Sequence, residues 1–526
     1  MRILINAQFP QFQSRHPECN AMAIDQGRIQ AIGTGEEMES IPASNRLIED
    51  MHGQFLLPSI CDSHLHLLEY TNFLAKVDCE TATREECLSR VRRQAELTPP
   101  GQWVLGHGWN HNNWPEGYGN ARLLDEISQQ HPIYLTAKSL HAGWANSAAL
   151  AAAGIRADTP DPKGGKIPRN ESGKPNGILL ESAMQLLETV IPPTSREVTL
   201  RHLQHAFQQL NRFGITSVHD FDTWDLFPIL KELNSQNALP LRVIKSIPCH
   251  CLPQAIEGGL RSGQRDGNLQ VGWLKLFSDG ALGAQSAAML QPYEGSPANL
   301  GMLMMEADEI IEIGRQAVKS GIELAIHAIG DRANRMVLDA FRSLRKIESR
   351  LGLPHRRHRI EHVQLIQPVD QARLAEMDIL ASMQPIHVLS DQDMADRYWG
   401  GRCQFAYAWN SLLMHGATLL FGSDAPVETP NPFIGLAAAI SRRRLEMDPS
   451  QPGWQPQECL TFQKAFKGYT VAPALAAGQS EHLGKLAPGY QADLMVLEKD
   501  PFTMPADELA GLLPAKTMLN GEWVWG

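Results

Sequence analysis

Eight short β-rich segments recur through the middle of the chain, and this count constrains the fold more than any other feature. They are "SICDSHLH", "GITSVHDF", "LRVIKSIP", "GWLKLFSDG", "IELAIHAIG", "HRIEHVQ", "DILASMQP" and "TLLFGSDAP". Stretches with helical periodicity separate them, among them "REVTLRHLQHAFQQLNRFG" and "ADEIIEIGRQAVKSG". Strands alternating with helices eight times over predict an α/β fold of the (β/α)8 barrel type. An open doubly wound sheet is the main rival, but no glycine-rich phosphate turn follows the first segment. A barrel places its functional residues at the C-terminal ends of its strands.

One interval breaks the rhythm. Between the first and second segments lie 145 residues, 69–213, far more than one connecting helix needs. The interval has strand-like pieces of its own, "QWVLGHGWN" and "PIYLTAKSLHAGW", and a polar Gly/Pro-rich passage. It reads as a subdomain inserted after strand one, expected to wall the site at that strand's end. Residues 1–57 and 478–526 read instead as short strands and turns, with "DQGRI" forming a hairpin-like turn. Together they predict one small β-sandwich domain built from both ends of the chain. The barrel then occupies residues 58–477.

Composition narrows the class. A chain of 526 residues that is 43% hydrophobic can bury a large core and a smaller second one. Its formal net charge of −11 argues against a general nucleic-acid binder. The eight cysteines include no C-x-x-C, so neither a disulfide framework nor a thiolate zinc site is expected. The start, "MRILINAQFPQF", lacks a basic region leading into an apolar signal stretch, and no run of 18 apolar residues appears. The expectation is a cytoplasmic protein acting on a small molecule, with no nucleic-acid or membrane partner and a homodimer as the default assembly.

The strand ends carry Asp62, His64, His66, His219, Lys275, Asp279, His327, His362 and Asp424. His64 and His66 are two residues apart, so a strand aims both imidazoles the same way. An isolated H-x-H reads equally well as two hydrogen-bonded core or rim histidines. Ionisable ligand types at the ends of most of the apolar strands point instead to a divalent metal site with a position left for water.

"DSHLH" on strand one, "LKLFSDGALGAQSA" on strand four, "IHAIGDRAN" on strand five, "RIEH" on strand six and "FGSDAP" on strand eight resemble the amidohydrolase superfamily. The branch they resemble is that of YtcJ-like proteins and N-substituted formamide deformylases, the amidohydrolase 3 family. The likeness runs nearly end to end and includes the tail "GKLAPGYQADLMVL".

The resemblance implies two divalent ions, zinc being the expected metal. His64, His66 and Asp424 would hold one ion, and His327 and His362 the other. Lys275 would bridge them as an N-carboxylated lysine, because an ammonium group has donors only and cannot ligate as it stands. A salt bridge from Lys275 to Asp279 or Asp424 is the plainer alternative. Asp424 would also accept a proton from a metal-bridging hydroxide's parent water and pass it to the leaving nitrogen. Its plainer reading is a helix cap, since "SDAP" is also a helix-start signal.

Outside the ligand set, His141 in "KSLHAGWANSAAL" is a candidate to polarise the substrate carbonyl, or else a structural histidine. His219 and His387 are candidates to support ligands or face the cavity. Trp109 and Trp114, near His107 and His111 in "GHGWNHNNW", either line an apolar substrate pocket or form the core of the inserted lobe. The reaction implied is metal-dependent hydrolysis of an amide-type C–N bond in an N-acyl or N-formyl amine. A mononuclear deaminase of the same superfamily is the alternative, but the H-x-x-E expected there has Gly330 at the acidic position. A catalytically silent metal-binding regulator is the third reading, although all six ligand types are retained.

Overall fold

The computed structural model describes residues 1–10, 18–43, 45–111, 114–138, 142–192 and 195–526. The chain forms two compact units, Met1–Tyr70 with Ala206–Gly526, and Thr71–His205.

The first unit contains the barrel. Its strands are β1 (Ile60–Leu65), β2 (Ile215–Asp220), β3 (Arg242–Pro248), β4 (Leu269–Phe277), β5 (Leu324–Ala328), β6 (Arg359–His362), β7 (Leu380–Met383) and β8 (Leu419–Phe421). They pair in parallel in that order. Each falls on one of the eight segments read from the sequence, so the (β/α)8 reading holds. All residues of β1, β2, β6, β7 and β8 are buried. Burial on both faces is why these strands read as nearly continuous apolar runs rather than as alternation. Helices such as Ala307–Lys319 and Asp331–Arg350 cover the sheet, the latter burying Val337, Leu338, Phe341 and Leu344.

The sheet is nearly closed, and the loop after β8 completes the contact with β1 at the functional end. Asp424 N donates to His64 O at 2.7 Å, and His66 N donates to Ala425 O at 2.8 Å. Gly422 permits this approach: a Cβ there would lie 2.5 Å from His64 N and 2.7 Å from Asp62 Oδ1. Any side chain would push the two strand ends apart.

The two ends of the chain form two four-stranded sheets in the same unit. One has the order Arg28–Gly33, Ala21–Asp25, Arg2–Ile5, Leu47–Asp50, and the other Glu522–Trp525, Lys516–Leu519, Leu494–Leu497, Phe55–Pro58. Phe55–Pro58 pairs antiparallel with Leu494–Leu497, tying the amino-terminal segment to the carboxy-terminal one. Leu4, Met22, Ile24 and Ile29 share one apolar cluster with Leu56, Leu494, Val496 and Met518.

The second unit has its own six-stranded sheet, ordered Gly165–Lys166, Ile178–Glu181, Ala142–Ala145, Ile133–Ala137, Val104–Trp109, Val77–Asp78. Its core includes Trp109, Trp114, Trp144, Val91, Leu124 and Leu135. Among the described residues, no helix is long and apolar enough to cross a membrane.

Candidate metal centre

Five of the six proposed ligands crowd together at the mouth of the barrel, and the sixth, Lys275, sits among the same groups. One nitrogen each from His64 and His362 and one Asp424 oxygen lie within 4.8 Å of one another. His66 Nε2 is 3.3 Å from Asp424 Oδ1, and His64 Nε2 is 3.4 Å from the same oxygen. The His327 and His362 ring centroids are 4.5 Å apart, and those of His64 and His362 5.0 Å apart. The tightest cluster thus cuts across the two ligand sets that the resemblance implies.

The hydrogen bonds of the rings determine which nitrogen each can offer. His64 Nδ1 lies 2.6 Å from Glu361 Oε2. Burial works against a charge on Glu361, but Arg359 and His64 outweigh it and hold the carboxyl well below its ordinary range. An ionised carboxylate only accepts, so Nδ1 donates and Nε2 carries the lone pair. His64 Nε2 is buried and has no hydrogen-bond partner. His362 Nδ1 is 2.9 Å from Gln384 Oε1, which likewise leaves Nε2 as the ligand atom. His327 reverses the pattern: Nε2 is 3.1 Å from the Gly280 carbonyl, so Nδ1 is the free nitrogen. Burial pushes His64 down to about 4 and His327 down to about 3, and it takes His362 well below the ordinary imidazole value. Neutral rings, each with a defined lone pair, are the form a divalent cation takes. The donor set therefore fits a metal.

Lys275 is buried, and its Nζ lies 4.8 Å from the Phe221 ring centroid and 4.9 Å from that of Phe277. Among the described residues it forms no ion pair with Asp279 or Asp424, so the salt-bridge alternative is not realised. Burial lowers its pKa to about 8, which Glu361 and Asp424 only partly oppose. Asp279 is occupied elsewhere, accepting from the backbone N–H groups of Ala288, Ile329 and Gly330 at 2.8–3.0 Å.

Asp424 is not a helix cap. The next helix, Pro432–Ser441, is capped by Asn431, whose side chain accepts from Phe433 N. Burial would raise the Asp424 carboxyl, but His64, His387 and His66 together hold it well below the usual range. Its backbone φ is +60°, and His362 has φ +75°. Left-handed backbone at two non-glycine residues costs of the order of 1–3 kcal/mol each and persists only where surrounding structure enforces it. Here it is found at the ends of two strands whose side chains enter one cluster.

The remaining candidates separate. His387 places Nε2 3.5 Å from Asp424 Oδ2, so it supports the carboxylate. His219 lies deeper in the barrel, where Arg359 Nη1 meets its Nδ1 at 2.8 Å. His141 lies outside the described residues. Trp109 and Trp114 are 0% and 4% exposed, and the Trp109 indole donates to Leu135 O at 2.8 Å. Their rings pack against each other and against Trp144, which corrects the pocket reading in favour of lobe core. Trp109→Ala should accordingly destabilise the lobe by about 3–5 kcal/mol and leave metal content unchanged. A variant with normal melting and an altered KM would restore the substrate-contact role.

Glu361, Arg359 and Gln384 escaped sequence reasoning as functional residues. The available signal was "RIEH", in which two charged residues precede a ligand inside a strand that is otherwise buried.

The sequence matches the amidohydrolase family over residues 48–525. The chain belongs to the amidohydrolase family. This amidohydrolase is 31% identical to Protein LONG AFTER FAR-RED 3 of Arabidopsis thaliana, over 91% of this chain and 84% of that one. It is 30% identical to the putative amidohydrolase YtcJ of Bacillus subtilis (strain 168), over 96% of both chains. It is 29% identical to the N-substituted formamide deformylase of Arthrobacter pascens, over 99% of this chain and 97% of that one. Among solved structures, it resembles an uncharacterized metal-dependent hydrolase from Pyrococcus furiosus. There the TM-score is 0.77 and the identity 26%, covering 95% of this chain and 100% of that one.

Proposed function

We propose that this amidohydrolase is a metal-dependent hydrolase that cleaves the C–N bond of an N-formyl or N-acyl amine. The observation that carries the reading is the site itself: neutral imidazoles, each with one nitrogen already committed, face an ionised Asp424 beside an unpaired, buried Lys275. Similarity to a formamide deformylase over nearly the whole chain supports the substrate class.

His64, His66, His327, His362 and Asp424 would hold two divalent ions, with zinc as the proposed metal. When bound, such ions polarise a carbonyl and lower the pKa of water to about 7. Lys275 would complete the site as a carbamate. Its lowered pKa leaves a usable fraction of neutral amine, the amine's lone pair attacks carbon dioxide, and the proton leaves to solvent. The product has two oxygens and a negative charge where the ammonium had neither. Asp424 would take the proton of the attacking water and deliver it to the departing nitrogen, without which an amine anion would have to leave. His387, whose Nε2 lies 3.5 Å from Asp424 Oδ2, would hold the carboxylate in place for both transfers.

A deaminase built on an H-x-x-E motif is disfavoured at one atom. A Cβ on Gly330 would lie 2.0 Å from Ala288 O, so no glutamate fits at that offset.

The test is a panel of N-formyl amines, N-acyl amines and matching esters, followed by amine or acid release. Release of amine that a chelator abolishes and added zinc restores is the expected result. Metal-loaded protein that cleaves no C–N bond in the panel would sink the reading.

A further inference from the structure

Beneath the candidate metal centre, the barrel interior contains a chain of polar groups buried on every side. Arg359 and Glu361 are both 0% exposed, as is His219. Arg359 Nε is 2.5 Å from Glu361 Oε1, and Nη2 is 3.0 Å from Oε2. Arg359 Nη2 also donates to the Ser63 carbonyl at 2.7 Å and to Ser382 Oγ at 2.5 Å. Its Nη1 donates to His219 Nδ1 at 2.8 Å. The guanidinium plane lies between aromatic rings, 4.7 Å from the Trp273 centroid and 5.2 Å from that of Phe221. At the other end, Glu361 Oε2 accepts from His64 Nδ1.

Every link in this chain has one possible direction. A guanidinium has no acceptor, so His219 Nδ1 must accept and any proton on that ring must sit on Nε2. The His219 ring lines a cavity of about 30 Å³ shared with Ser59, Thr216 and Ser217, room for about one water. The Arg359 guanidinium lies against the Glu361 carboxylate, donating from Nη2 to Oε2 at 3.0 Å, and that carboxylate holds the His64 ring. A charge pair this deeply buried is costly unless its geometry is held, and loss of one member leaves the other uncompensated. Packing alone would be served as well by apolar side chains of similar volume. The bonds run instead to His64, a metal-site histidine whose buried Nε2 has no hydrogen-bond partner.

We propose that His219, Arg359 and Glu361 act as a positioning chain that presents His64 Nε2 to the metal at a fixed angle. All three are 0% exposed and would act through His64. The inference rests on the metal-dependent reading above, and its test is arranged so that the two fail separately.

Metal affinity is measured on purified protein by competition with a chromophoric chelator, and the visible spectrum of the cobalt-substituted protein is recorded, both without substrate. Glu361→Gln, which keeps the volume but removes the charge that orders Arg359, should weaken metal binding by about 10–100-fold. His219→Leu should weaken it by about tenfold and shift the cobalt bands. His219→Asn places an oxygen near the former Nδ1 position and should restore both affinity and spectrum. Wild-type affinity and spectrum in His219→Leu or in Glu361→Gln would overturn the positioning chain, as would an asparagine variant no better than leucine. Should His219→Leu fail to fold, Glu361→Gln decides alone. A wild-type protein that binds no metal would overturn the functional reading instead.

Discussion

A Lys275→Ala chain is expected to lose at least one metal ion and about a thousandfold or more of its turnover. The buried amine has no ion-pair partner among the described residues, and rings of Phe221 and Phe277 flank it at 4.8 and 4.9 Å. Glu361, Asp424 and the two aromatic faces favour the ammonium charge, but burial outweighs them and lowers the pKa to about 8. Alanine removes the amine that carbon dioxide would convert into a two-oxygen ligand. Short carboxylic acids supplied with metal should restore part of the activity by entering the vacated space, and short amines should not. The sign of the pH dependence follows from the same shift. Below about pH 8 the amine is mostly protonated and only its neutral fraction can form a carbamate, so metal loading of apo protein in bicarbonate should rise as pH passes upward through 8. Metal analysis of the variant and a pH series of loading check both statements. Full metal content in Lys275→Ala, or rescue by amines as good as rescue by acids, would rule out the carbamate.

Asp424→Asn should lower kcat by about 10²–10⁴-fold while preserving the fold. Asparagine has the same shape, keeps one oxygen and cannot carry the proton. The exchange also removes the charge that His64, His66 and His387 share at 3.3–3.5 Å. Burial pushes His66 and His387 down, yet both lie above the ordinary imidazole value because Asp424 and neighbouring carboxylates outweigh it. In apo Asp424→Asn protein the two rings should therefore lose their protons at lower pH than in the wild type, a shift readable by NMR. A variant with unchanged kcat would remove Asp424 from the proton-transfer role, and unchanged titration of both rings would contradict the geometry.

Much of this amidohydrolase is legible in its sequence. The eight barrel strands could be read because a parallel strand covered by helices is buried on both faces and so written in apolar residues. The ligand candidates stood out because an ionisable residue at the end of such a run has no packing reason to be there. Asp424 stayed ambiguous, since "SDAP" serves a strand end and a helix start equally well. Only the path of the loop, with the next helix starting at Pro432 behind Asn431, separated the two. The tryptophans of "GHGWNHNNW" were ambiguous for a related reason. Large aromatics suit a pocket wall and a core alike, and it was tertiary packing around Trp144 that placed Trp109 in the core.

What sequence determined, then, was local: which segments are strands and which side chains can ligate. What tertiary structure decided was every relation between segments far apart in the chain. Glu361 and His64 are 297 residues apart, and His219 and Arg359 are 140 apart. No local pattern records that these pairs meet, because hydrogen bonds and ion pairs act over a few ångströms in space, whatever the distance along the chain. The same holds for Lys275. Its sequence neighbours announced burial, but whether a carboxylate lay within reach was a question of distance, and only the folded barrel answers it.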